Sequence, residues 1–94
     1  MRVLVLDRDY TNALTHAIQL SGYGLVVETV QDIDEAACRL SSMMFDAVLC
    51  SLDLNDDVQR KTLRQFQKAY PATEFYTQDR IGEFFGRIRI DKSS

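Results

Sequence analysis

A doubly wound, parallel α/β sheet is the fold class this sequence predicts, and three observations carry that expectation. Val3-Leu4-Val5-Leu6 and Ala47-Val48-Leu49-Cys50 are uninterrupted apolar runs. Strands read this way when both faces of a parallel sheet are covered. Each run opens into polar residues, Asp7-Arg8-Asp9 after the first and Ser51-Leu52-Asp53 after the second. Finally, segments of helical periodicity alternate with short strand-like segments as far as Thr77. That β-α-β-α-β-α-β order implies right-handed crossovers around a parallel sheet.

The elements follow in order. Arg2–Leu6 is the first strand, and Asp9 is placed to cap a helix whose inner face is expected to be Leu14, Ala17, Ile18 and Ser21. Gly22 ends that helix, and Leu25–Val30 is a second strand rich in β-branched residues. Asp32 caps a second helix, with Glu35 completing a capping-box pattern and Ile33, Ala36, Ala37 and Leu40 facing inward. Asp46–Ser51 is the third strand. A polar loop, Asn55-Asp56-Asp57, leads to a third helix with Val58, Leu63, Phe66 and Tyr70 inward and Arg60, Lys61, Arg64 and Lys68 outward. Pro71 closes it, and Thr73–Thr77 is a short fourth strand.

The tail satisfies two periods at once. Ile81, Phe84, Phe85 and Ile88 fit one helical face, whereas Arg87-Ile88-Arg89-Ile90 alternates as an edge strand does. Gly82 and Gly86 each weaken a continuous helix by about 1 kcal/mol. The expectation is therefore a short helical turn over 79–85 and a final strand over 86–91.

At 94 residues the chain is one domain, 1–94, with 1–78 as its core and 79–94 as an atypical C-terminal segment. Its hydrophobic content of 46% and charged content of 27% are those of a folded globular protein. A net charge of −3 gives no general attraction to nucleic acid or anionic membranes. Arg80, Arg87, Arg89 and Lys92 are offset by Asp79, Glu83 and Asp91, so no nucleic-acid partner is expected. Cys38 and Cys50 lack metal-ligand spacing and are expected as buried, reduced thiols. No run is long enough to span a membrane, and the expected location is cytoplasmic. His16 is expected on the solvated side of the first helix.

Chemistry in open parallel sheets collects at the carboxyl ends of the strands. Asp7, Ser51 and Thr77 belong there, with Asp9 and Asp53 flanking them. An acidic cluster of this kind suits a divalent cation. Arg8 interrupts it. Its guanidinium either neutralises Asp7, Asp9 or Asp53 without any metal, or points past the strand end into solvent.

The order Val-Leu-Val-Leu-Asp7-Arg8-Asp9, Ser21-Gly22-Tyr23, Phe45-Asp46-Ala47-Val48-Leu49-Cys50-Ser51, Pro71 and Thr77 resembles a response-regulator receiver domain. The resemblance covers nearly all of residues 1–78. It implies a flavodoxin-like fold with strand order 2-1-3-4-5, an aspartyl phosphoacceptor after strand three and Mg²⁺ held by an acidic pair after strand one. Asp7 matches the first acidic position, but Arg8 stands where the second is expected. Ser51 occupies the phosphoacceptor position and Thr77 that of the switch Thr/Ser. Lys92 is the candidate for the Lys ending strand five, although the interval from Thr77 is short. That interval implies a short or missing fourth helix, and the chain stops before a fifth.

These departures fall on a single reaction. A serine hydroxyl forms no acyl phosphate, and a fixed cation at position 8 repels Mg²⁺. The expectation is a degenerate receiver: a signalling or protein-interaction module, not an enzyme, working without aspartyl phosphorylation, metal or cofactor. Asp53 as a displaced acceptor is the lesser possibility. With helix five missing, Phe75, Phe84, Phe85, Ile88 and Ile90 are expected to form an uncovered apolar surface. A homodimer or a protein partner is therefore expected at the C-terminal third. The alternative is a small phosphohydrolase. Asp7-Arg8-Asp9-Tyr10-Thr11 also resembles the first motif of the haloacid-dehalogenase family, which would make Asp7 the nucleophile and Asp9 the general acid, with Mg²⁺. That family needs an insertion directly after the motif, where a helix is expected here.

Overall fold

Four parallel strands in the order β2-β1-β3-β4 form the centre of the protein. A computed structural model describes the backbone of residues 1–93 and the side chains of residues 1–88. The chain runs β1 (Arg2–Leu6), α1 (Tyr10–Ser21), β2 (Val26–Val30), α2 (Ile33–Ser42), β3 (Ala47–Cys50), α3 (Asp57–Ala69), β4 (Glu74–Thr77) and α4 (Ile81–Ser93). One 3-10 turn, Gln78–Arg80, joins β4 to α4. The architecture is flavodoxin-like.

The apolar runs are central strands, as their composition requires. Val3 pairs with Ala47 and Leu6 with Cys50, so the two runs lie side by side in the middle of the sheet. Successive side chains alternate between faces. Leu4, Leu6, Val48 and Cys50 enter a core closed by Ala36 and Leu40 of α2 and Leu63 and Phe66 of α3. Val3, Val5, Ala47 and Leu49 enter a second core with Ala13 and Leu20 of α1 and Phe84 and Ile88 of α4. Burial on both faces leaves no polar position in either run. β2, an edge strand, is buried fully only at Val30.

The expected aspartate caps at Asp9 and Asp32 form, and Asp56, expected only as part of a polar loop, caps α3. Asp9 accepts from the Thr11 and Asn12 N–H groups, and Asp56 accepts from that of Val58. At α2, Asp32 Oδ1 accepts from Glu35 N–H at 2.7 Å, while Glu35 Oε2 accepts from Gln31 N–H at 3.2 Å. The return bond thus falls one residue upstream of the cap itself.

The C-terminal segment departs from expectation. The final strand expected over 86–91 and the short or missing fourth helix are both replaced by α4, 13 residues long. The described residues therefore contain strands 2-1-3-4 and no fifth. Burying Phe84 and Ile88 contributes about 1.5–3 kcal/mol each, more than the two helical glycines cost. The face of α4 also matters. A right-handed crossover to a strand beyond β4 would run over the α3 side, yet α4 lies on the α1 side, covering the half of that face which α1 leaves bare.

This packing overturns the expected apolar surface. Phe75 is buried against α3, and Phe84 and Ile88 are buried against the sheet. Phe85 is half-buried toward α1, and the side chain of Ile90 lies outside the described residues.

Four smaller expectations are also corrected. The inward face of α1 is Ala13 and Leu20, rotated by about 100° (one residue's turn) from the one read off the sequence. Leu14 and Ile18 are consequently exposed, and His16 is half-buried with its ring 6.2 Å from that of Phe85. The helix carries apolar residues on two faces, so its periodicity alone fits either. Val58 is exposed because it sits in the first turn of α3, beyond the edge of the core. Cys38 is exposed on the outer side of α2; Cys50 is buried.

Candidate functional site

The parallel sheet brings the carboxyl ends of β1, β3 and β4 to one edge. Leu6 aligns with Cys50 and Cys50 with Thr77, so the residues that follow emerge together. Ser51, Asp53, Thr77, Gln78 and Asp79 line an open cleft of about 560 Å³, together with Leu52 and Leu54.

Asp7 is nearly buried, and its Oδ1 accepts the Asp9 N–H at 2.9 Å. The first acidic position is thus tied to the loop that starts α1, and the Asp7 N–H continues the sheet by donating to Val30 O. Asp9 is committed differently, with its carboxylate bound to the first amides of α1. Helix α1 begins at Tyr10, directly after Asp7-Arg8-Asp9, and leaves no room for an inserted segment there.

Arg8 is exposed and joins none of the salt bridges formed among the described residues. It does not neutralise Asp7, Asp9 or Asp53 by direct pairing. Its field reaches Asp56, whose carboxyl is held below the usual range chiefly by the Val58 N–H, with Gln59 and Arg8 adding to the effect. Of the two alternatives for Arg8, the solvent-facing one holds.

Ser51 follows the last residue of β3, and its N–H donates to Leu6 O at 2.9 Å. Its hydroxyl approaches Gln78 Oε1 at 3.5 Å, a long contact. Thr77, nearly buried, donates its hydroxyl to Asp79 Oδ1. Asp53 does not continue the strand. Its N–H donates to Gln59 Oε1 at 2.8 Å and its Oδ1 accepts from Asn55 N–H at 3.0 Å, which folds residues 53–55 into a turn. The side chain of Lys92 lies outside the described residues, and its backbone belongs to α4 and not to the end of a strand.

Sequence reading missed Gln78, Asp79 and Gln59 as neighbours of this cleft. Nothing in their spacing announces them, because the 3-10 turn after β4 and the register of α3 bring them in. Chemically, the cleft offers a hydroxyl pair, Ser51 and Thr77, beside two carboxylates that are already hydrogen-bonded locally. Among the described residues, no group of three or more His, Cys, Asp or Glu side chains converges on a common point.

No family model matches the chain, and no curated protein matches it. Among solved structures, an adenylate cyclase from Rhodopirellula baltica is similar over 97% of this chain and 70% of its own, with a TM-score of 0.69 at 15% identity. At that identity the likeness concerns the fold alone. None of the helices described is long and apolar enough to cross a membrane.

Proposed function

We propose that this protein is a receiver-like signalling module that works through protein contacts, without aspartyl phosphorylation and without catalysis. The observation carrying the reading is the position of Ser51. It stands at the carboxyl end of β3, beside β1 and β4, where a receiver would present its phosphoacceptor. A hydroxyl there forms no acyl phosphate. Arg8 supplies a fixed positive charge one residue after Asp7, where a metal ligand is needed. Asp7 itself is engaged by the Asp9 N–H. Among the described residues no fifth strand follows β4, and Lys92 falls in α4 and not at the end of a strand.

The phosphohydrolase reading finds less support. Asp9, its general acid, is a helix cap, and α1 occupies the stretch in which that family carries its insertion.

The test is a titration with beryllofluoride and Mg²⁺, followed by amide NMR. Spectra unchanged around Ser51 and Thr77 are expected. Saturable shifts at those amides would refute the reading, and turnover of a phosphomonoester abolished by Asp7→Asn would replace it with the hydrolase.

A further inference from the structure

We infer that the outer crest of α3 docks a short acidic segment of a partner protein, anchored by one apolar side chain. Lys61, Arg64 and Lys68 are exposed and lie on the side of the helix opposite Leu63 and Phe66, which face the core. They span about 10 Å along the helix. Arg39, Arg80 and Arg87 each pair with a glutamate. Lys61, Arg64 and Lys68 join no salt bridge among the described residues, and Asp57, the only carboxylate within α3, is taken by Arg60. Arg60 with Arg64, Lys61 with Arg64, and Arg64 with Lys68 are like-charge neighbours at helical spacing, which destabilises a helix. A merely solvated face has no use for that repulsion, because one glutamate in place of Arg64 relieves all three contacts. A face that attracts carboxylates requires it.

A cavity supplies the second, independent constraint. About 320 Å³ in volume, it opens where α2 and α3 end and is lined by Leu40, Met43, Met44, Ala69, Tyr70 and Pro71 among others. Ala69 directly follows Lys68, so the cavity continues the crest at its carboxyl end. Met44 is 79% exposed, and methionine adapts to apolar side chains of different shape. Two helix carboxyl ends give the cavity a negative potential. It therefore takes an uncharged side chain and leaves the carboxylates to the crest.

These features select the occupant. Asp53, Asp56 and Asp57 are exposed at the amino end of the crest, so a nucleic acid longer than the crest runs into carboxylates. Helix α3 exposes no aromatic ring for bases to stack on, its one aromatic residue, Phe66, being buried. Val58 is its one exposed large apolar residue, too little to seat the helix in a membrane. A neutral peptide gains nothing from the cations. An extended acidic run of about three or four residues matches the crest in length and in charge.

The inference deepens the reading above by naming the surface and the chemistry of the partner, and it rests on that reading only for an interaction role. Its test is fluorescence anisotropy with the full chain and a fluorescein-labelled peptide, a short run of glutamates with a leucine at each end. Saturable binding is expected at low ionic strength, with loss of most of the affinity at about 0.5 M salt. Arg64→Glu, at an exposed position, is expected to weaken binding about tenfold or more with unchanged helical circular dichroism. Lys61→Gln with Lys68→Gln should weaken it in the same direction. A peptide with serines in place of the leucines is expected to bind several-fold more weakly. No binding up to about 1 mM protein overturns the inference. So does binding that Arg64→Glu leaves unchanged, or equal affinity for the serine peptide. Tighter, Arg64-dependent binding of polyuridylate, or of vesicles of equimolar phosphatidylserine and phosphatidylcholine, overturns it in favour of those ligands. Each of these results leaves the phosphorylation-independent reading standing, since the beryllofluoride titration tests that separately.

Discussion

Arg87 on α4 donates to Glu74 Oε2 on β4 at 2.6 Å, and the same oxygen accepts the Tyr76 hydroxyl at 2.6 Å. Tyr76 is nearly buried, its ring 5.0 Å from that of Phe84 and covered on one side by the Arg80 guanidinium. One carboxylate thus joins the outermost strand to the last helix. Its carboxyl is held below the usual range, first by the Tyr76 hydroxyl and then by Arg87. The Tyr76 phenol is pushed up, first by burial and then by its bond to Glu74.

The docking of α4 is therefore expected to depend on pH at both ends. A depressed carboxyl contributes stability above its unfolded pKa of about 4.3, lost as pH falls through the folded value. A raised phenol contributes stability below its unfolded pKa of about 10, lost as pH rises through the folded value. Hydrogen exchange of α4 amides should show a plateau of protection between these limits. Glu74→Gln should flatten the acid limb.

Gly82 and Gly86 distinguish a helix from the strand that the alternation of the tail imitates. A Cβ at either position meets no atom within 4 Å. Gly82→Ala and Gly86→Ala should each stabilise the protein by about 0.5–1 kcal/mol in urea unfolding. A loss of stability would contradict the helix.

Phe84→Ala should cost about 3–5 kcal/mol, because the ring fills the core between β4 and α1. Leu14→Ala, at an exposed site on α1, should stay within about 0.5 kcal/mol in dilute solution. Chemical denaturation of both variants checks the contrast.

The two thiols should behave as different chemical species. Cys38 is exposed, whereas burial pushes the Cys50 thiol up to about 12. A thiol reagent should therefore modify one cysteine in the native protein and two after unfolding. The raised thiol favours folding fully below its unfolded pKa of about 8.5, and this contribution declines as pH rises toward the folded value.

On the receiver-like reading proposed above, carboxylates at positions 8 and 51 should act only together. Ser51→Asp alone leaves the Arg8 cation one residue from Asp7, whereas Arg8→Asp with Ser51→Asp supplies two new carboxylates near Asp7. The double variant is expected to bind Mg²⁺ and to take up phosphate from acetyl phosphate, and the single variant to do neither. Mass spectrometry and Mg²⁺ titration distinguish these outcomes.

Much of the fold was legible in the sequence because burial on two faces admits no polar residue in Val3–Leu6 or Ala47–Cys50. The caps at Asp9 and Asp32 were equally legible, being local hydrogen bonds that need only a short stretch of chain. The strand-end site was legible as a set of positions, since parallel pairing forces Asp7, Ser51 and Thr77 to one edge. Its internal bonding was not, because Gln78 and Gln59 arrive there through a 3-10 turn and a helix register.

The parallel α/β core and the gathering of Asp7, Ser51 and Thr77 at one edge of the sheet followed from the amino-acid sequence alone. Tertiary structure decided which face each amphipathic segment turns inward. Helix α1 has apolar residues on two faces, and only the sheet chose Ala13 and Leu20 over Leu14 and Ile18. The tail satisfied both periods, and only the bare half of the α1 side made Phe84 and Ile88 helical core. The physical reason is common to both. Periodicity states which residues share a face, but the surface that face will cover is built by distant parts of the chain.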